Sequence, residues 1–393
     1  MFLQRPTPHA DESLESFLIR VANANGYSDV YRFLVATKRY LEDIDSSKYQ
    51  TFPTDIRRIN PCSSKVNSGP RSEALLKISQ MTFNETGLLL GLAINRTSMK
   101  FSPSTSGLVR GAEVMPRSLL RSEVVPSCPL CLAEDGYASY RWHFEGYDYC
   151  HKHKQKLIDK CCCGAIYDYR ESGVNGLCSE CGNAIEHDAL GYDTEGVKVA
   201  YWLAGEVLEP LPDLPQSYRW GLVHWWVQIS SVSFDAISFI QFWREWPSSF
   251  HSMIDKTIDF KIAYAVVATE ELRLKDVLDE ILFKAIRLPE RNLRYNFILR
   301  EIFRYLEDNL WLNGGRLANL RMNALEVALL LNCSLDQVAS VVEQRMLKTN
   351  RRLKLDRPFD NTDYLFYLGD VYCLWLAEFQ TDDFNRSFYT SRW

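Results

Sequence analysis

Four pairs of metal-binding side chains follow one another in the middle of this chain. They read Cys128-Pro-Leu-Cys131, Cys150-His-Lys-His153, Cys161-Cys162-Cys163-Gly164 and Cys178-Ser-Glu-Cys181-Gly182. A C-x2-C or C-x2-H turn presents two donors from one tight bend, and two such halves complete the four-ligand tetrahedron of a structural Zn²⁺ site. Cys128, Cys131, Cys150 and His153 form the first expected site. In the second, Cys178 and Cys181 are joined by two of the three thiols at 161–163. Cys161 and Cys163 are the choice, because adjacent residues rarely aim at one ion and Gly164 lets the chain turn behind the second thiolate. Cys162 and His151 remain as alternative ligands, although His151 lacks the x2 spacing.

Metal of this kind is structural chemistry. A catalytic zinc keeps one coordination position for water, whereas a set of four thiolates, or of three thiolates and an imidazole, closes the shell. Glu145 and Asp148 lie nearby in sequence and would be the general-base candidates of a zinc hydrolase; acidic residues in such places are usually just solvated. A disulfide framework suits small secreted domains rather than 393 residues without a recognisable leader pattern. Two structural Zn²⁺ per chain and no enzymatic activity are therefore expected.

The elements that must position these ligands are mainly helical. With 46% hydrophobic residues the chain can bury more than one core. Its longest apolar run, Leu88 to Ile94, is too short to span a bilayer, and a soluble protein of a reducing compartment is expected. Charge is uneven: residues 1–125 carry 16 Lys and Arg against 12 Asp and Glu, and the remainder 29 against 38. Such an acidic bulk argues against a protein that coats DNA unaided.

Three sections are expected: an N-terminal helix-turn-helix-like helical domain (1–107), a zinc module (108–200) and a C-terminal helical domain (201–393). Asp11 can cap a helix bearing Leu14, Phe17, Leu18 and Val21, with Asn25-Gly26 as its stop. Residues 41–70 read as irregular connection. A helix from Arg71 and a second over Leu88–Ile94 make a first helix-turn-helix candidate, too apolar to read base edges. A polar loop over 102–107 follows. Tyr140, Trp142, Phe144, Tyr147 and Tyr149 alternate as in a strand; they could stack bases but more often wall a core. Pro210 to Pro215 is a rigid connector into two helices packed through tryptophans, and further helices are expected over 268–287 and 291–308.

A second helix-turn-helix candidate is stronger. Asn323–Asn332 reads as its first helix, Cys333-Ser334 as the turn, and Leu335 to about Lys348 as the second helix, capped by Ser334. Arg345, Lys348, Arg351, Arg352 and Lys354 then form a basic cluster suited to phosphates or a partner. The last stretch, from Tyr364, reads as helix packed on the body.

Taken together, Asp11-Glu-Ser-Leu-Glu-Ser-Phe-Leu-Ile-Arg20, Cys128-Pro-Leu-Cys131-Leu132, Trp142, Cys150-His-Lys-His153, Leu157, Cys161 to Gly164 and Cys178-x2-Cys181-Gly182 resemble the TniQ family. The resemblance covers most of the first 200 residues; the CysCysCysGly run leaves one ligand of the pattern ambiguous. It implies a targeting protein of cut-and-paste transposons, one that does not cut DNA but links a chosen site to an AAA+ ATPase regulator and a transposase. The chain looks like the short kind associated with CRISPR effectors. Such a protein is expected to dock as a homodimer on a guide-RNA complex of the Cascade type, through that complex's crRNA-binding end subunits. Base pairing would then supply specificity, with target DNA touched mostly indirectly and no membrane involved, in the cytoplasm of a bacterium. The alternative is direct, sequence-specific DNA binding by residues 323–357.

Overall fold

Leu14, Phe17, Leu18 and Val21 recur at helical spacing, and in the computed structural model of the protein they are the buried face of α1 (Leu14–Ala24). The structure describes residues 3–65, 67–82, 85, 87–101, 105–185, 194–230, 233–268, 271–286, 288, 296–351 and 360–379. Ser13, rather than the expected Asp11, caps α1: its Oγ accepts from the Ser16 N–H at 3.1 Å. Asp11 is engaged elsewhere, by the Tyr137 hydroxyl at 2.7 Å and Arg141 at 3.5 Å. Asn25 ends the helix and Gly26 follows at φ +76°, a backbone setting that glycine adopts without strain.

α2 (Val30–Tyr49) continues through residues 41–49, where irregular chain is expected. It breaks and restarts at Asp45, whose carboxylate accepts from the Lys48 N–H at 3.1 Å as a fresh cap, and the burial of Leu41 and Tyr49 holds both halves. After α3 (Gly69–Thr82), α4 (Leu88–Leu92) is a single turn. The helix expected to reach Ile94 stops short because Ala93 turns extended and the chain enters a sheet. β1 (Asn95–Lys100), β2 (Ser106–Arg110) and β3 (Glu113–Pro116) pair antiparallel in that order, with Gly111 at φ +55° in the tight β2–β3 turn. The first helix-turn-helix candidate is thus one helix, one turn of helix and a strand. Its residues Phe83, Asn84 and Thr86, and Ser102–Ser104 of the expected loop, lie outside the described residues.

α5 (Pro129–Glu134), β4 (Tyr149–Cys150), β5 (Gln155–Lys156) and α6 (Tyr169–Ser172) are the short regular pieces of the cysteine-rich segment. Tyr140–His143 is a 3₁₀ turn, not the expected strand, and Tyr140, Trp142, Phe144 and Tyr147 are all buried. These rings wall a core and cannot stack on bases. α7 (Thr194–Leu203), α8 (Gln216–Ser230) and α9 (Ala236–Arg244) complete this part. Trp226 meets Phe242 at 4.8 Å and Phe239 at 5.9 Å, the aromatic packing expected of two tryptophan helices. Trp220 reaches back to Phe144 at 5.4 Å.

The chain forms two compact units, residues 1–227 with 232–244, and residues 228–231 with 245–393. The section boundaries expected at 107 and 200 fall inside β2 and α7. The second unit contains α10 (Ser248–Ala263), α11 (Leu274–Leu278), α12 (Lys284–Ile286), α13 (Phe297–Asn309), α14 (Leu312–Gly315), β6 (Arg321–Asn323), α15 (Ala324–Leu331), α16 (Leu335–Glu343), β7 (Tyr364–Tyr367) and α17 (Leu368–Leu374). Its core includes Phe303 stacked on Trp375 at 3.9 Å and the β6–β7 pair Met322 and Phe366, both fully buried. The last stretch therefore opens as a strand before its helix. The architecture is mainly α, and among the described residues no single helix is long and apolar enough to cross a membrane.

α1 is fastened to the cysteine-rich segment by buried polar contacts. Ser13 N–H donates to the Ala138 carbonyl at 2.9 Å, Ala138 N–H donates to Ser16 Oγ at 2.9 Å, and Ser13 Oγ meets the Tyr169 hydroxyl at 2.8 Å. Glu12 accepts from Ser16 Oγ and Arg20, and Arg110 on β2 donates to the Glu12 carbonyl at 2.8 Å. Glu15 is the exception in this belt. Its Oε1 accepts from Asn60 at 2.7 Å, but its Oε2 has no hydrogen-bond partner, and burial pushes its carboxyl up to about 7 against the pull of Arg170.

A raised carboxyl pKa means that the folded state holds its proton more tightly than the unfolded chain. Stability from this group is therefore full below about pH 4.5 and falls as pH rises through about 7, by roughly 3 kcal/mol. Denaturant unfolding of the metal-loaded protein between pH 5.5 and 8 should show about 2 kcal/mol of this decline, and Glu15→Gln should flatten it. An equal slope in the variant would assign the pH dependence to other groups.

Candidate metal centres

The first ligand set is built by a helix start and a small hairpin. Cys128 is the N-cap of α5 and Cys131 lies one turn along it. Cys150 ends β4, which pairs with β5 through Tyr149 with Lys156 and Cys150 with Gln155. This pairing folds the C-x2-H half back on itself. Lys154 takes a left-handed backbone (φ +55°) and donates its N–H to the Cys150 carbonyl at 2.7 Å. His153 Nδ1 then sits 3.3 Å from both Cys128 Sγ and Cys131 Sγ and 3.7 Å from Cys150 Sγ, while Cys131 and Cys150 sulfurs are 3.5 Å apart. Metal–ligand bonds of about 2.0–2.3 Å give tetrahedral edges of roughly 3.5–3.8 Å, so the separations suit one central ion.

The second set uses two glycine-backed turns. Gly164 (φ +86°) donates to the Cys161 carbonyl and Gly182 (φ +72°) to the Cys178 carbonyl, each at 2.9 Å. A side chain at either position would be strained, as the Gly164 reading from sequence anticipates. Cys161 and Cys181 sulfurs lie 3.7 Å apart, and those of Cys163 and Cys178 3.9 Å. Within each set, Cys128–Cys131–Cys150–His153 and Cys161–Cys163–Cys178–Cys181, the ligand atoms all fall within 4.8 Å of one another. The backbone N–H groups of Cys181 and Glu180 pull the Cys178 thiol down to about 7, toward the thiolate a metal needs.

Two supporting residues were not legible as such in the sequence. Glu134, at the end of α5, accepts from His153 Nε2 at 3.0 Å, which turns Nδ1 toward the sulfurs. A carboxylate behind a metal-bound imidazole fixes its tautomer and raises its basicity. Gln155 donates from Nε2 to Cys128 Sγ at 3.0 Å. Both could have been sought at one helical turn from Cys131 and at the strand position opposite Cys150.

The alternatives fall elsewhere. His151 Nδ1 meets the Tyr147 hydroxyl at 2.6 Å, and exposed Cys162 lies 3.8 Å from Cys161 but outside the four-ligand cluster. Asp148 pairs with Arg121 and Glu145 is exposed; neither belongs to a ligand set.

In the second unit, α15 and α16 cross a turn with a bend of 101°, the geometry of a helix-turn-helix. Both helices begin with a capping box, Asn323 with Glu326 and Ser334 with Gln337, and Asn332 at φ +54° ends α15. α16 stops at Glu343 rather than near Lys348, because Arg345 takes a left-handed backbone at φ +60°. Val338 and Val341 of α16 are buried. Arg345 and Lys348 are exposed, while Arg351 pairs with Asp363 and so is a less available phosphate contact. Arg352, Lys354 and Arg357 lie outside the described residues.

Cys163→Ser should lower the metal content by about one ion per chain, by elemental analysis, and Cys162→Ser should leave it unchanged; the reverse would exchange their roles. Glu134→Gln should weaken metal binding at the first site roughly 10–100-fold in a chelator competition. Cys128→Ser should unfold this segment, since structural zinc contributes on the order of 10 kcal/mol to such sites.

No curated protein matches this chain. The TniQ family model matches residues 3–157, from the segment leading into α1 through the completed first ligand set. Over that stretch, about two fifths of its length, the chain is similar to the TniQ family.

Proposed function

We propose that this protein is a noncatalytic targeting adaptor of a DNA transposition system, linking a guide-RNA complex of the Cascade type to an AAA+ ATPase and a transposase. The observation that carries this reading is the closure of both ligand sets: each has four protein donors, and the TniQ match ends on the first of them. The donor chemistry, seven thiols and one imidazole at tetrahedral spacing, favours Zn²⁺ over the hard cations that prefer oxygen. Held this way, the ions shape a bracket and leave no ligand position for activating water. The protein's own residues then act by presenting surfaces. A homodimer would display them in pairs, and base pairing in the partner complex would supply sequence specificity, which suits the chain's net charge of −5.

A second reading is direct, sequence-specific DNA binding by the second unit. The 101° helix pair with exposed Arg345 and Lys348 favours it. Its α16 is nine residues long, and Arg351 is already paired, so phosphate neutralisation would be sparse.

Gel shifts with the purified protein at about 150 mM salt separate the two. The adaptor reading expects no specific binding tighter than roughly 100 nM without the guide-RNA complex, and co-purification with that complex when both are expressed. Specific nanomolar binding by the protein alone, lost in Arg345→Glu, would favour the second reading.

A further inference from the structure

A cleft of about 940 Å³ opens in the first unit, lined by none of the eight ligands, and Lys65, Arg71 and Arg117 gather like charges along it. Arg71 Nη1 donates to the carbonyls of Arg58 (2.8 Å) and Asn60 (3.2 Å) and to Ser63 Oγ (2.8 Å). Arg96 donates to the carbonyls of Cys62 and Ser64. Arg117, exposed after β3, and Lys65 line the cleft. Arg71 lines the same cleft as Lys65 and Arg117. Among the described residues none of these four cations has a carboxylate within 4.0 Å, although Arg57 and Arg170 on the same cleft are paired with Asp55 and Glu171, and with Asp168. Crowding cations without counter-charges costs stability unless something anionic joins them.

The floor adds an independent observation. Glu15 is 2% exposed and lines the cleft, and its Oε2 has no hydrogen-bond partner. Buried polar atoms are nearly always satisfied in a folded protein. His143 Nε2 stands 4.0 Å away, too far for a hydrogen bond, and is committed to the Tyr169 hydroxyl at 2.7 Å. Asn60, which donates to Oε1, spends its own oxygen on the Ile94 N–H at 2.7 Å. Neither neighbour can complete the carboxyl. A ligand reaching the floor can.

We propose that this cleft binds a phosphate-bearing nucleotide unit, with its phosphate among Lys65, Arg71 and Arg117 and a polar edge of its base or sugar on Glu15. Guanidinium forks match phosphate oxygens in pairs, which is why the anion is assigned as phosphate rather than a lone carboxylate. The cleft is within the size range of small-molecule sites. The same chemistry arises from a free mononucleotide or from one residue of a single strand. Neither the targeting role proposed above nor direct reading of duplex DNA requires this site.

Full-length, metal-loaded protein should be titrated with AMP and inorganic phosphate by calorimetry, and with labelled ten-nucleotide oligo(U) and oligo(dT) by fluorescence anisotropy. AMP bound at least as tightly as one residue of oligomer assigns a free nucleotide; an oligomer bound more than about tenfold tighter than AMP assigns a strand. In either case Arg117→Glu should weaken binding by at least about tenfold, with metal content and circular dichroism unchanged. Glu15→Gln should weaken AMP while leaving inorganic phosphate unaffected; where that variant fails to fold, Lys65→Glu serves as the second surface test. Binding of all four probes weaker than roughly 1 mM, or binding indifferent to Arg117→Glu, would overturn the site.

Discussion

Sulfurs packed 3.5 to 3.9 Å apart repel as thiolates, and a cation at their centre turns that repulsion into cohesion. The segment from Cys128 to Cys181 is the part of the first unit built around this exchange. Between Cys128 and Ile185 the regular elements are a six-residue helix, a four-residue 3₁₀ turn, two strands of two residues and a four-residue helix. Such pieces are too short to hold their shape by backbone hydrogen bonds alone. An ion coordinated by each ligand set would supply the rigidity that longer helices supply elsewhere. The left-handed Lys154, Gly164 and Gly182 bend three of the four half-sites so that their donor atoms converge, and the start of α5 does so for Cys128 and Cys131.

That rigid segment is then joined to α1 by polar contacts inside the fold. Ser13, Ser16, Glu12 and Arg110 exchange hydrogen bonds with Ala138, Tyr169 and the backbone near residue 12, all within a largely buried belt. Polar joints of this kind are specific as well as cohesive, because a slip of either partner leaves a donor or acceptor unsatisfied in low dielectric. They join α1 to the first ligand set within the stretch that the TniQ model matches. Glu15 departs from the rule, with one oxygen unmatched beside a cationic cleft.

The second unit is ordered by other means. Reciprocal capping boxes set the starts of α15 and α16, Asn332 supplies the turn, and the β6–β7 pair closes beside them. The recognition-type helix is short because the chain leaves it at Arg345. Its exposed cations are consequently few among the described residues.

Local chemistry was legible in the amino-acid sequence. Ligand spacing singled out Cys161 and Cys163 over Cys162 and His153 over His151, because x1 and x2 turns restrict which donors can share one ion. The second helix-turn-helix was legible for the same reason: caps and turn residues act within four positions of themselves. What residues far apart in the chain do to one another was decided only by the tertiary structure. Tyr137 and Arg141 claimed Asp11 and left the cap to Ser13, β2 turned the expected end of an apolar helix into a sheet, and Asp363 took Arg351. Glu15 and the cations Lys65, Arg71 and Arg117 meet at one cleft from positions 15 to 117, and no periodicity in the sequence encodes that distance.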